Sequence, residues 1–332
     1  MIRYVSIRIL ELVGVLLAMT FIVFLLRSVI PADPARAAVG PNAPQSVVEE
    51  KRSELGLDQP LLVQYGDYLK GLVTGDLGTS ARTMNPVSQD IGDFLPASFE
   101  LIFAATVIGG VIGSILALTQ TLAPRHTGGV RGLLIGGASA PTFLVGLLLL
   151  YFLWYKAHWF PSNGRTSISD APTGPTGLLT IDGLLSGRLG VTTDACRHLL
   201  LPALTLAIPT GVAIGRTLRS SLSGTMRQDF VRSARARGLT EREVVLRHGL
   251  RNSANAPLAM AGLQLGFIFA NLLIVEALFA WPGLGLYSVQ SLSRSDLTAV
   301  LGVALVFGVF YLIVNTLIDI AQVLADPRLT LE

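Results

Sequence analysis

The chain has 332 residues, 51% of them hydrophobic and only 14% charged, with a mean hydropathy of +0.59. Soluble domains run near a quarter charged, so the composition excludes an ordinary soluble domain and points to an integral membrane protein. The formal net charge is only +3, with arginines clustered beside apolar runs and no set of stacking aromatics interleaved among them, which makes a nucleic-acid-binding surface a poor reading. The single cysteine, Cys196, excludes an intrachain disulfide and a multi-cysteine metal site.

The first apolar run covers about Ile9 to Ile30, behind Arg3 and Arg8. Its roughly 22 residues would span about 33 Å as a helix, too long for a secretory h-region, so it reads as a retained transmembrane helix. Glu11 and Arg27 lie near its ends, where both can snorkel. The polar region Pro31 to Pro96 is rich in Pro, Gly and Asp and reads as an ordered extracytoplasmic cap. Helical periodicity runs over Pro44 to Leu57, and Tyr65, Tyr68, Leu69 and Leu72 mark a second amphipathic piece before turn signals at Gly75-Asp76 and Gly78. A second span follows from about Ser98 to Leu122, in which Gly109 and Gly113 form a GxxxG and Gly110 with Ser114 repeats the interval, the spacing of close helix packing. A basic turn holding Arg125, His126 and Arg131 leads to a third span, Leu133 to Tyr155, with a kink expected at Pro141.

Lys156 to Arg197 forms an outer loop whose aromatic start, Trp154, Tyr155, Trp159 and Phe160, suits the membrane interface. The fourth span starts near His198 and continues past Gly215. Pro202 and Pro209 inside it predict bent or opened backbone beside a cavity, hence a wall of a pathway. The fifth covers about Leu258 to Ala280, with Gln264, Asn271 and Glu276 in or near it, and the sixth about Ala299 to Leu324.

Between the fourth and fifth spans lies Gln228 to Pro257, in which Arg232, Arg235, Arg237, Arg242, Arg247 and Arg251 outnumber Asp229, Glu241 and Glu243. Nine arginines fall within residues 215–256, which marks this connection as cytoplasmic. Phe230, Val231 and Ala234 share one helical face, with Arg232 and Arg235 off it. Gly238 then ends the helix as a C-cap glycine would, and a second helical segment runs from Glu241 to Leu250. A plain loop needs only a few residues, so this one reads as a docking surface. The expected fold class is an all-α integral membrane protein with six transmembrane helices and both termini cytoplasmic. Its expected segments are 1–30 as first helix, 31–96 as cap, 97–324 as transmembrane domain with a cytoplasmic loop at 216–256, and 325–332 as tail.

Several chemistries have no residues to carry them. No stretch fits a P-loop, since Lys51, Lys70 and Lys156 are the only lysines and none follows a glycine; ATP-driven work would need a partner. His126, His158, His198 and His248 are scattered, and no H-E-x-x-H exists, so no metal site is expected. Gly137-Ala138-Ser139 resembles the G-x-S of an intramembrane serine protease, but His198 is the one histidine near a span, and it falls at the opposite membrane face. A self-sufficient secondary transporter needs buried mid-membrane carboxylates, whereas Glu100, Glu276 and Asp319 fall toward the ends of the expected helices.

The basic stretch resembles the cytoplasmic coupling loop of ABC-importer permeases. That loop reads EAA, three residues, Gly, nine residues, then I-x-L-P. Here Arg232-Ser233-Ala234 stand where EAA would, Gly238 is in place, and His248, Leu250 and Arg251 occupy the I, L and P positions, so Ala234, Gly238 and Leu250 are the matches. The fuller run is similar to that of permeases for dipeptides, oligopeptides, nickel and glutathione, which Ala234 to Leu239, Arg247, His248, Leu250, Asn252 and Pro257 fit. Glu54 to Asp58, Pro60 to Tyr65 and Gly75 to Ser80 look like the ELGLD-x-P-L-x-x-Q-Y and GDLG-x-S signatures of that branch. Val275 to Phe279 with Pro282-Gly283-Leu284-Gly285, then Arg294-Ser295-Asp296 and Ala325 to Arg328, continue the resemblance to the end of the chain.

The resemblance implies a type I ABC importer permease subunit with no catalytic activity and no cofactor of its own, ATP and Mg being held by partner subunits. Those partners would be a second homologous permease, one or two cytoplasmic ATPase subunits and an extracytoplasmic solute-binding protein, all at the cell membrane's lipid bilayer. Coupling to the ATPases falls to Arg232, Ser233, Ala234, Arg235, Ala236, Arg237, Gly238, Leu239, Thr240 and Glu241. Asp58, Gln64, Tyr65, Gly75, Asp76 and Gly78 would face the binding protein, and Glu276, Pro282, Gly283 and Gly285 would form the turn after the fifth span. Peptides are the expected cargo.

Overall fold

The computed structural model describes residues 2–29, 34–40, 43–54, 56–122, 140–172 and 174–325. Regular structure among them is helical, and Thr79 and Pro86 form an antiparallel bridge outside any strand. The all-α expectation holds. Among the described residues, four helices are long and apolar enough to cross a bilayer: Val87–Leu122, Leu189–Thr225, Asn255–Leu278 and, within the last helix, Leu297–Ile318. Two further apolar helices, Val13–Leu26 and Thr142–Lys156, are shorter over the described residues and coincide with the first and third expected spans.

The described chain divides into two compact units. One comprises Met1–Leu95 and Tyr287–Leu312, the other Pro96–Leu286 and Ile313–Glu332. In the first unit the amphipathic helix Leu61–Val73 packs on the first helix, Ile2–Val29, through Tyr65, whose ring meets Phe21 and Phe24 at centroid distances of 5.3 and 5.4 Å.

The second unit is organised around Leu189–Thr225, a 37-residue helix of about 55 Å. Its partner Val87–Leu122 shows why the sequence folds so. Leu101, Ala105, Gly109, Gly113 and Ala117, each four residues from the last, are buried, while Phe103, Val107, Val111 and Ile115 form an exposed apolar stripe. A soluble protein would not expose such a stripe, whereas lipid solvates it. On the buried row, Gly109 and Gly113 meet a second GxxxG, Gly211 and Gly215. A Cβ built on Gly113 would lie 2.8 Å from the Gly211 carbonyl oxygen and 3.0 Å from the Gly215 nitrogen. Small residues therefore let two backbones touch, as the spacing predicts, while Gly110 faces open space.

The structure corrects several expectations. The helix that carries the second span begins at Val87 and not Ser98, because Pro96 is carried inside it and Asp90, a buried polar residue, reads as loop. The fourth runs from Leu189 to Thr225, so Arg216, expected in the cytoplasmic loop, lies in the helix. Pro202 and Pro209 are accommodated without interrupting it, where opened backbone was expected. Pro141 stands directly before the described helix Thr142–Leu149, with extended φ/ψ of −58° and 140°. A wider π-helical turn, Leu150–Lys156, follows. Leu133 to Ser139, the basic turn with Arg125, His126 and Arg131, the Asp319 side chain and Asp326 to Arg328 lie outside the described residues.

Candidate functional site

The basic connection folds as a helical hairpin. Asp229–Ala236 forms the first helix, with Val231 and Ala234 buried against Val244 and flanked by Met226 and Leu239. Its end is a Schellman motif. Gly238 has φ +84°, its N–H donates to the Arg235 carbonyl at 2.9 Å, the Leu239 N–H donates to the Ala234 carbonyl at 3.4 Å, and Leu239 packs beside Ala234. Thr240 then caps the next helical stretch. Its hydroxyl accepts the Glu243 N–H at 3.3 Å and its own N–H donates to the Glu243 carboxylate at 3.0 Å, a capping box that T-E-R-E spells in the sequence. Helix continues from Glu241 through a π-helical Val244–Gly249 to Asn252, two residues past the expected Leu250.

Arg235 locks the hairpin. Its guanidinium donates twice to Glu241, at 2.6 and 3.1 Å, and those bonds hold the Glu241 carboxyl below its usual range. Hydrogen bonds from Thr240, the backbone N–H first, do the same for Glu243. Arg232 pairs with Asp229 at 2.6 Å on an exposed face that also carries Ser233, Ala236 and Arg237. Phe230, expected to share a face with Val231 and Ala234, is 37% exposed where those two are buried, standing about 100° round the helix from Val231. The two ends of the hairpin are tied together, Ser253 donating to the Thr225 hydroxyl at 2.9 Å and Ser221 to the Ser253 carbonyl at 3.1 Å.

The cap residues are mostly occupied with their own fold. Tyr65 donates to the Leu17 carbonyl at 3.1 Å and sits 2.9 Å from the Thr20 hydroxyl, tying the cap to the first helix. Gln64 donates to the Leu57 and Gln59 carbonyls at 3.0 and 2.7 Å, closing the ELGLD turn. Gly75 and Gly78 take positive φ, +80° and +84°, and the Gly78 N–H donates to Asp76 at 2.9 Å. Asp58 and Asp76 are the exposed charges of the set. Motifs far apart in sequence meet here. Ser80, the serine of GDLG-x-S, donates to Asp296 of R-x-D at 2.5 Å, with both side chains buried. Asp296 also accepts the Ala299 N–H at 3.2 Å and so caps the last helix. Asp90 accepts from Tyr287 at 2.8 Å and Thr83 at 2.5 Å. Burial first, then that bond to Asp90, pushes the Tyr287 hydroxyl above its usual range.

Glu276 organises the turn after the fifth span from a fully buried position. Its carboxylate accepts the Ser98 hydroxyl at 2.6 Å and the Leu286 N–H at 3.0 Å, while the Leu284 N–H donates to Ser98 at 2.8 Å. Both glycines of P-G-L-G are explained by this carboxylate. A Cβ on Gly283 would lie 2.3 Å from Glu276 Oε1, and one on Gly285 2.9 Å from Oε2. The loop after Pro282 therefore wraps the acid with bare backbone. Glu100, expected toward a helix end, lies well inside Val87–Leu122 and is buried. It is paired with Arg165 at 2.6 Å and accepts from the Thr180 hydroxyl at 2.5 Å, so it is a structural carboxylate. His198 is likewise engaged, 2.8 Å from both the Ser167 hydroxyl and the Asn163 carbonyl.

A cavity of about 500 Å³ opens among Thr142–Leu149, Leu189–Thr225 and Asn255–Leu278. Its polar lining comprises Thr142, Thr210, Arg216, Gln264 and Asn271. Pro209 also lines it, which agrees with the expectation that the fourth span walls a cavity, though without opened backbone. Sequence reasoning counted Arg216 among the nine loop arginines and missed this placement. Its distance from Arg232 in the sequence was the available signal.

Two family models match the chain. The binding-protein-dependent transport system inner membrane component covers residues 109–331, and the N-terminal component of such systems covers residues 1–101. Among characterised relatives, the "Probable D,D-dipeptide transport system permease protein" of Escherichia coli is 37% identical, covering 96% of this chain and 94% of its own. The dipeptide transport system permease protein of Alkalihalophilus pseudofirmus is 31% identical over 99% of both chains, and the glutathione transport system permease protein of Salmonella typhimurium 33% over 99% of both. Since the first family model spans well over half of the sequence and these relatives align nearly end to end, the chain belongs to the binding-protein-dependent transport system inner membrane components, the permease subunits of ABC importers.

Proposed function

We propose that this permease subunit forms half of a translocation pathway for peptides, crossing the membrane six times with both termini cytoplasmic. The observation that carries the reading is the Asp229–Ala236 helix. It is short, clamped at both ends of its hairpin, stiffened by a Schellman motif and a bidentate ion pair, and it presents Phe230, Arg232, Ser233, Ala236 and Arg237 to solvent. A rigid short helix with an exposed aromatic and basic face suits insertion into a cleft of a cytoplasmic ATPase subunit. Closure of two such subunits on ATP and Mg would then move the hairpin and, through Thr225 and Ser253, the long helix behind it. The chain itself hydrolyses nothing. A second homologous permease completes the pathway, one or two kinds of ATPase subunit drive it, and an extracytoplasmic binding protein delivers the cargo to a surface that includes Asp58 and Asp76.

Peptide cargo is supported by relatives named for dipeptides and by others named for glutathione, itself a small peptide. Gly238→Pro tests the coupling role. Proline fixes φ near −65° and removes the N–H, whereas Gly238 holds φ +84° and donates to Arg235. The variant should insert into the membrane at normal levels, lose co-purifying ATPase and lose peptide uptake. Normal uptake by that variant would end the coupling assignment.

A further inference from the structure

Among the described residues, Arg216 is the one ionisable group lining the cavity. It lies nine residues before the end of Leu189–Thr225, about 14 Å along the helix, directly after the uncharged run Leu199 to Gly215. Other arginines of this unit show what a structural role looks like: Arg219, three residues on, donates to Gln120, and Arg165 pairs with buried Glu100. Arg216 is exposed to the cavity and forms no hydrogen bond or ion pair among the described residues. No described Asp or Glu lines the cavity to neutralise it. An arginine that faces a cavity without a protein counter-charge among the described residues marks a site that an anionic group can visit. The other polar groups add acceptors. Asn271 donates its amide N–H to the Phe267 carbonyl at 2.8 Å, which leaves its Oδ1 over, and the Gln264 amide nitrogen reaches only Met260 Sδ at 3.8 Å. Gln264 and Asn271 stand two turns apart on one helix face, about 10 Å, so amide side chains line the cavity at two heights.

We propose that Arg216 receives the terminal carboxylate of the peptide while it occupies this cavity, with the amide oxygens of Gln264 and Asn271 accepting from its N–H groups. The guanidinium fork fits a carboxylate bidentately, which a lysine ammonium cannot do. The inference rests on the peptide-permease reading, and it makes the free carboxylate a requirement of the membrane step itself, separate from delivery by the binding protein.

The test uses the assembled transporter in nanodiscs, without binding protein. Cys196→Ser removes the one thiol of this chain, and Ala213→Cys, in the cavity wall, supplies a reporter whose labelling is read on this chain alone. Anionic and cationic methanethiosulfonate reagents are compared, with Ala-Ala and its C-terminal amide as competitors. The anionic reagent is expected to react about tenfold faster than the cationic one, the factor a charge-assisted contact supplies. Ala-Ala should slow it and the amide should not. Arg216→Gln should abolish both differences, and Arg216→Lys should keep the reagent preference while weakening protection by Ala-Ala. Equal protection by peptide and amide would overturn the proposal. So would a reagent ratio unchanged in Arg216→Gln, the result expected if an acidic residue of the second permease neutralised the arginine. ATP-driven uptake of di- and tripeptides by the unmodified complex with its binding protein separates the two failures. Absent uptake ends the peptide reading, whereas intact uptake with either contrary labelling result ends only the role of Arg216.

Discussion

Gly113→Ala and Gly110→Ala add the same methyl group to the same helix and should shift stability in opposite directions. At Gly113 a new Cβ meets the Gly211 carbonyl oxygen at 2.8 Å and the Gly215 nitrogen at 3.0 Å. Both are backbone atoms, so no side-chain rotation relieves the contact and the helices must part. A separation of about half an ångström forfeits roughly a quarter of the dispersion energy along the crossing, and overpacking of this kind costs about 1–3 kcal/mol. At Gly110 a Cβ meets nothing within 4 Å, and replacing glycine within a helix gains about 0.5–1 kcal/mol. Thermal denaturation of the detergent-purified chain measures both. At roughly 2–4 °C per kcal/mol, Gly113→Ala should lower Tm by several degrees and Gly110→Ala should leave it equal or raise it slightly. Gly113→Ala combined with Gly211→Ala should cost less than the sum of the two, since both force apart the same crossing. Equal shifts at Gly110 and Gly113 would refute the view that this crossing is held by backbone proximity.

The turn after the fifth span makes a second prediction. Gly283→Ala puts a methyl 2.3 Å from Glu276 Oε1, so the Ser98 and Leu286 hydrogen bonds must rearrange, and Tm should fall by the equivalent of at least about 1–3 kcal/mol. The basic hairpin makes a third. Glu241 and Glu243 are held below the usual carboxylate range in the fold, so the stability they contribute is present above about pH 4.5 and lost as pH falls through their folded values. Proteolysis of the 229–252 segment should therefore be flat from about pH 8 to 5 and accelerate in more acidic buffer, with Arg235→Gln cleaved faster at neutral pH.

Much of the basic hairpin was legible because its requirements are local. Gly238 announces a positive φ, Val231 and Ala234 show a buried stripe, and T-E-R-E writes its own cap. Phe230 shares a side with Val231 and Ala234 by periodicity yet stays partly exposed, because a helix of only eight residues buries a narrow face. The membrane helices were legible as apolar runs, though their ends were not. Val87 to Ala97 carries Asp90, Asp93 and Pro96, which read as loop until tertiary partners satisfy such groups, as Tyr287 does for Asp90. Pairings over long sequence distances lay outside any periodic signal. Ser80 and Asp296 were each noticed as parts of separate motifs, yet nothing linear joined residues 216 apart. Gly211 and Gly215 passed unremarked beside two prolines, although they complete the crossing that Gly109 and Gly113 predict. Arg216 was hidden for a similar reason, because a charge count assigns an arginine to a loop and only the packing of three helices turns it toward a cavity.

The coupling assignment is tested most directly by site-specific photo-crosslinking within the intact complex. A photoreactive residue replaces Ala236 on the exposed face of the Asp229–Ala236 helix, and a second variant carries it at Val111 on the apolar stripe of Val87–Leu122. Illumination in native membranes should join position 236 to a Walker-A ATPase subunit, more strongly with ATP than without, while position 111 yields lipid or membrane-protein adducts alone. An ATPase adduct absent at 236 in a complex that still transports peptide would contradict the account at its centre.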